Sequence, residues 1–118
     1  MANTLQLLTQ LLDTTNGPSY QVSKSVTTTG DDLHSALFQV GTSEEEFTFS
    51  TEIGDAGWCV IVNKDATNYI EIGFATTDYK LRLNAGEALQ VRLAPAVASL
   101  FLKANTAACN ILITVYED

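Results

Sequence analysis

Histidine, tryptophan and methionine occur once each in this chain, cysteine and proline twice each, and lysine and arginine together only six times. Each scarcity excludes something. His34 is the sole imidazole, with no nucleophile motif around it, so a triad or a histidine-based acid–base pair has no footing; it reads as a partly exposed strand histidine. Structural zinc needs three or four clustered ligands, whereas Cys59 and Cys109 lie far apart without paired spacing. Both sit in apolar segments, where a free cysteine behaves as a small hydrophobe, and two reduced core thiols are expected. A bridge between facing strands stays open, because sequence supplies no geometry. Six basic residues against fourteen acidic ones give a net charge of −8, and no basic cluster offsets it, so nucleic acid and anionic lipid are not expected partners. No apolar run approaches the ~18 residues of a membrane helix. The N-terminus lacks the basic start and long apolar core of a signal peptide, so synthesis and folding in the cytoplasm are expected. Gly54 and Gly57 flank a turn without the Lys-Ser/Thr pair of a phosphate loop.

What is abundant is alternation. At 118 residues, 46% hydrophobic and 17% charged, the chain is long enough to bury roughly two-thirds of its unfolded surface in one core. A single domain over residues 1–118 is expected, with no linker, repeat or low-complexity tract. Ile70, Ile72 and Phe74 alternate with Glu71 and Gly73; Tyr79, Leu81 and Leu83 with Lys80 and Arg82; Leu89, Val91 and Leu93 with Gln90 and Arg92. A period of two is that of half-buried strands. The segments at Trp58–Val62 and Cys109–Tyr116 are apolar on both faces, which predicts strands covered on both sides. Leu33 to Val40 reads as a strand and Phe47 to Phe49 as a short one. From Ser19 to Thr29 the Val, Thr, Ser and Tyr content suits an edge strand between the turn signals Asn16-Gly17-Pro18 and Gly30-Asp31-Asp32. Between Thr4 and Asp13, Leu5, Leu8 and Leu12 fit a helix while Leu5, Leu7 and Leu11 fit a strand, and context favours the strand. These segments give about eight to nine short strands with no convincing helix to cover a parallel sheet. The expected fold is therefore all-β, an antiparallel β-sandwich of jelly-roll-like or immunoglobulin-like type, with residues 1–29 as an extended arm or edge strands.

Chemistry has few candidates. Glu71 with Glu87, or Asp55 with Asp65, are the carboxylate pairs available for glycosidase-type work, and such pairs arise by chance in an acidic β protein. Asp55, Asp65 and Asp78 match no calcium-loop spacing. Tyr69 and Tyr79 flank a loop and are the candidates for stacking on a sugar ring, while Trp58 reads as core. Glu44-Glu45-Glu46 reads as a solvated loop. Asp65 and Asn68 bracket a tight connection whose side chains accept backbone amides, and Asn84-Ala85-Gly86 supplies a residue tolerant of positive φ. No catalytic, cofactor-binding or metal residue is expected, and no enzyme.

Four stretches carry a resemblance: Val40-Gly41-Thr42-Ser43-Glu44-Glu45, Val62-Asn63-Lys64-Asp65-Ala66-Thr67-Asn68-Tyr69-Ile70-Glu71-Ile72-Gly73, Leu83-Asn84-Ala85-Gly86-Glu87-Ala88-Leu89, and Ala104-Asn105-Thr106-Ala107-Ala108 before the final strand and its Glu117-Asp118 end. Together, over roughly the last two-thirds of the chain, they resemble small structural proteins of tailed bacteriophages. The resemblance implies a virion component, with a capsid decoration or cement protein as the leading expectation. Such a protein docks on the major capsid protein at the capsid surface as a homo-oligomer, a trimer by analogy. A low-copy neck, tail or fibre-associated protein and a host-glycan-binding sandwich are the alternatives. The segment from Met1 to Thr29 is then an arm that extends onto a neighbour.

Overall fold

The computed structural model describes residues 2–118. Its strands are β1 (Thr4–Leu12), β2 (Ser19–Thr27), β3 (Leu33–Val40), β4 (Glu45–Thr48), β5 (Ala56–Asn63), β6 (Ile70–Ala75), β7 (Asp78–Leu83), β8 (Ala88–Arg92), β9 (Ser99–Ala104) and β10 (Cys109–Glu117). Among the described residues there is no helix. Every strand pairing is antiparallel.

The connectivity follows from one long ladder folded over on itself. The chain runs out through β3, β4, β5 and β6, reverses at the β6–β7 turn, and returns through β7, β8, β9 and β10. Each returning strand pairs with its outgoing counterpart, β6 with β7, β5 with β8, β4 with β9 and β3 with β10. Winding this ladder brings β10 beside β5 and β9 beside β6, which gives two sheets in the orders β3-β10-β5-β8 and β4-β9-β6-β7. That is the jelly-roll order, so of the two sandwich types the sequence allows, the jelly roll is the one formed.

The inner faces supply the core. Cys59, Ile61, Ile111, Ile113, Val115 and Val40 from one sheet meet Phe47, Leu100, Leu102, Ile70, Ile72 and Leu83 from the other, all buried. Each such aliphatic or aromatic side chain contributes roughly 1.5–3 kcal/mol on burial. The two buried cysteines are free. Cys59 stands opposite Val115 and Cys109 opposite Val40, six residues apart along β10, about 20 Å at strand rise and far beyond disulfide reach.

Three details differ from the sequence reading. β9 was not separable from its neighbours, because its outward Phe101 fills a position where a polar residue would mark the alternation. β4 begins at Glu45, ahead of the Phe47 start expected, and the Glu44–Glu46 run is not a solvated loop: the Glu45 carboxylate accepts the Gly41 amide. Trp58 is not core. The inward positions of β5 are Cys59, Ile61 and Asn63, so Trp58 projects from the outer face, half-buried beneath β1.

β1 and β2 form a separate two-stranded hairpin, and its root is stitched to the sandwich. The Thr28 amide closes the hairpin base on the Asn3 carbonyl at 2.9 Å, and the Gly30 amide donates to the Asp118 carbonyl of the sandwich at 2.8 Å. Thr29 Oγ1 donates to the same Asp118 carbonyl at 2.6 Å. The radius of gyration, 15.0 Å, exceeds the about 13.5 Å of a compact domain of this length. The projecting hairpin is the source of the excess.

Candidate interaction surface

The residues that looked capable of chemistry are held in separate structural tasks. His34 faces inward on β3, stacks on Phe47 with centroids 5.1 Å apart, and its Nδ1 accepts the Ser50 amide at 3.0 Å. Glu71 sits opposite Arg82 on the outer face of the β4-β9-β6-β7 sheet, whereas Glu87 accepts the Asn84 amide at 2.8 Å in the β7–β8 turn. The Asp65 carboxylate accepts the amides of Thr67 and Asn68 at 3.0 and 2.6 Å, and these bonds lower its pKa. Asp78 pairs with exposed Lys80 at 3.0 Å, and Asp55 uses its carbonyl to accept the Asp118 amide at 2.8 Å. The turn expected at Gly86 forms with φ of 79°.

The two candidate sugar-stacking rings are both engaged. The Arg82 guanidinium lies 3.9 Å from the centre of the Tyr69 ring. The Tyr79 hydroxyl donates to Glu44, which pushes its pKa up to about 12. Cys59 is likewise pushed to about 12, in its case by burial, and so stays a thiol.

Sequence reasoning missed one cluster. Asp31, Asp32 and Glu117 bring ligand-capable oxygens within 4.8 Å of one another near the hairpin root. Glu117 also accepts the Gly54 amide at 2.8 Å. Desolvation, and then the neighbouring charges of Asp31, Glu117 and Glu52, raise the Asp32 pKa. One exposed and two half-buried carboxylates fall short of the about six to eight oxygens a calcium ion takes.

The outer faces of the two sheets are where the molecule is unusual. On the β4-β9-β6-β7 sheet the outward positions include Glu46, Lys103, Glu71, Lys80 and Arg82, an ordinary solvated mixture. On the β3-β10-β5-β8 sheet they are Leu33, Ser35, Leu37 and Gln39; Asn110, Leu112, Thr114 and Tyr116; Trp58, Val60 and Val62; Ala88, Gln90 and Arg92. Arg92 is the only charge in that set, and it is paired with Asp118 at 2.8 Å. Trp58 Nε1 is buried and has no hydrogen-bond partner among the described residues. The double apolar alternation of β5 and β10 was the sequence signal for this face.

The hairpin crosses part of it. Thr4, Leu5, Gln6 and Leu7 line a cleft with Trp58, Val60, Gln90 and Tyr116, and farther along Leu8, Thr9 and Gln10 face Val60, Ala88 and Gln90. Among the described residues, the one hydrogen bond between the middle of β1 and the sheet runs from Gln90 Nε2 to Thr9 Oγ1, at 3.3 Å.

Fold and surface together define a jelly-roll sandwich with one charged face, one nearly uncharged face and a projecting hairpin. Compared with family models, curated proteins and solved structures, the chain gives no match. Among the described residues no helix is long and apolar enough to cross a membrane.

Proposed function

We propose that this chain is a structural protein of a tailed-bacteriophage virion, a capsid decoration or cement protein that binds the major capsid protein on the outer lattice and stabilises the head. The observation that carries the reading is the nearly uncharged outer face of the β3-β10-β5-β8 sheet with its projecting hairpin, on an architecture that viral capsid domains use. A surface of that kind is built to be covered. Large exposed apolar patches mark association sites, and this face carries Leu33, Leu37, Leu112, Val60 and Val62 among uncharged polar residues. The copies act as a homo-oligomer, a trimer by resemblance, so that modest individual contacts sum to strong attachment.

The reading is tested by mixing the purified chain with capsids of its phage that lack it, then sedimenting them. The full chain is expected to co-sediment and to raise the temperature at which the shells rupture, while a chain without residues 1–29 remains in the supernatant. A full chain that stays in solution contradicts the reading. A fluorescence change on adding host glycans would favour the sugar-binding alternative, for which the Arg82 guanidinium over the Tyr69 ring and the Glu44-bound Tyr79 hydroxyl give no support.

A further inference from the structure

Two apolar surfaces of this chain cannot be satisfied within one copy. On the hairpin, Leu5, Leu7, Thr9 and Leu11 share a face with their cross-strand partners Val26, Lys24, Val22 and Tyr20. The root of that face, Leu5, Leu7 and Val26, is half-buried. Its tip is open, with Leu11, Tyr20 and Val22 exposed by 62%, 67% and 65%. The tip is nonetheless well fixed, since Asp13 Oδ1 accepts the amides of Thr15 and Asn16 at 2.9 Å and the Asp13 amide donates to the Pro18 carbonyl at 2.8 Å. The second surface is on the sheet. β1 runs from Trp58 and Tyr116 toward Ala88 and Gln90 of edge strand β8, so the tip leaves on the side away from β3. Leu33 and Leu37 of β3 stay 47% and 69% exposed.

We infer that the occupant is a second copy of this chain, the hairpin tip of one copy lying on the Leu33–Leu37 strip of its neighbour. Area supports it. The chain exposes 7019 Å², whereas a compact 12.7 kDa monomer exposes about 6,200 Å². The excess, roughly 800 Å², is what each partner buries in a standard interface. Charge supports it too. A net charge of −8 opposes self-association through most of the surface, yet β3 carries no charge but that of His34 when protonated, and the hairpin carries one charge of each sign, Asp13 and Lys24. The strip and the tip themselves offer a strongly charged partner no complement; the acidic Asp31, Asp32 and Glu117 lie beside the Leu33 end. Tip and strip are different surfaces, so the contact is isologous where a pair makes it reciprocally and heterologous where it runs head-to-tail in a ring. The inference does not rest on the virion reading, and the experiment needs only the purified chain.

Sedimentation velocity on the full chain is expected to show an oligomer at micromolar concentration. The tip variant Tyr20→Glu/Val22→Glu and the strip variant Leu33→Glu/Leu37→Glu are each expected to sediment as monomers with unchanged far-ultraviolet circular dichroism. Mixed in equal amounts, the two should associate again, because one intact tip and one intact strip remain. Should the glutamates disturb the strands, Val22→Thr and Leu37→Thr keep strand propensity and give the same readouts. A monomeric full chain overturns the inference and leaves the face to the capsid lattice or another partner. Variants that still associate, or a mixture that stays monomeric, overturn the tip-on-strip contact.

Discussion

Two side chains show how single residues hold this fold where backbone alone does not. Glu44 stands behind the β6–β7 reversal, accepting the Thr76 hydroxyl and the Thr77 amide at 2.5 and 2.7 Å as well as the Tyr79 hydroxyl. Thr77 is the turn's awkward residue, a β-branched side chain at φ of 57°, and the carboxylate fixes it there. Those bonds, the Thr76 hydroxyl first, hold the Glu44 carboxyl below its ordinary value. An acid with a depressed folded pKa adds stability above its unfolded value and loses it as pH falls through the folded one. Thermal stability is therefore expected to fall on acidification from roughly pH 5 to 3, and to fall less steeply in Glu44→Gln, which starts lower at neutral pH. Parallel melting curves for the two proteins would contradict this role. Asn63 is the other case. Fully buried, it donates to the carbonyls of Asn68 and Leu83 at 3.0 and 3.1 Å and accepts the Asp65 amide at 3.0 Å. Asn63→Ala strands these groups and is expected to cost about 2–3 kcal/mol in urea unfolding. A loss under about 0.5 kcal/mol would show that the groups find other partners.

At the scale of elements, legibility in the sequence tracked how cleanly polar and apolar residues alternate. β6, β7 and β8 present one polar and one apolar face, and their periods were plain. β10 carries apolar residues on both faces and reads as doubly covered; on its outward face the hairpin reaches Tyr116, while Asn110 is exposed. Phe101 hides β9 in the sequence, and Trp58 reads as core because a run of apolar residues does not say which parity points inward. That parity is set by pairing with β8 and β10, a long-range fact. The Asp31, Asp32 and Glu117 cluster was invisible for the same reason, since its members join only when β10 returns beside β3. The acceptor roles of Asp65 and the left-handed Gly86 were legible because turns are local chemistry. Trp58 now provides a probe of the hairpin. Removing residues 1–29 uncovers the only tryptophan, so its emission is expected to shift to the red while the remaining jelly roll melts cooperatively. An unchanged emission maximum would mean that β1 does not rest on Trp58, and loss of cooperative melting would make the hairpin part of the core structure.

The whole molecule is a folded ladder with one charged outer face and one nearly uncharged outer face. Its core is complete without the hairpin, since the buried set comes from β3 to β10 and the segments joining them, and its catalytic vocabulary is dispersed into caps and turns. What remains unsatisfied lies on the outside, in the uncharged sheet face, the exposed hairpin tip and the surface area in excess of a compact monomer. The proposed virion role would use these outer surfaces for attachment, and it is the copy number in the particle that tests it. The most direct measurement is the copy number of this chain relative to the major capsid protein in purified virions, by quantitative mass spectrometry. A lattice-wide decoration protein is expected at on the order of hundreds of copies per particle. About a dozen copies would move it to the neck or tail, where ring symmetry sets the number, and its absence from the particle would contradict the virion assignment altogether.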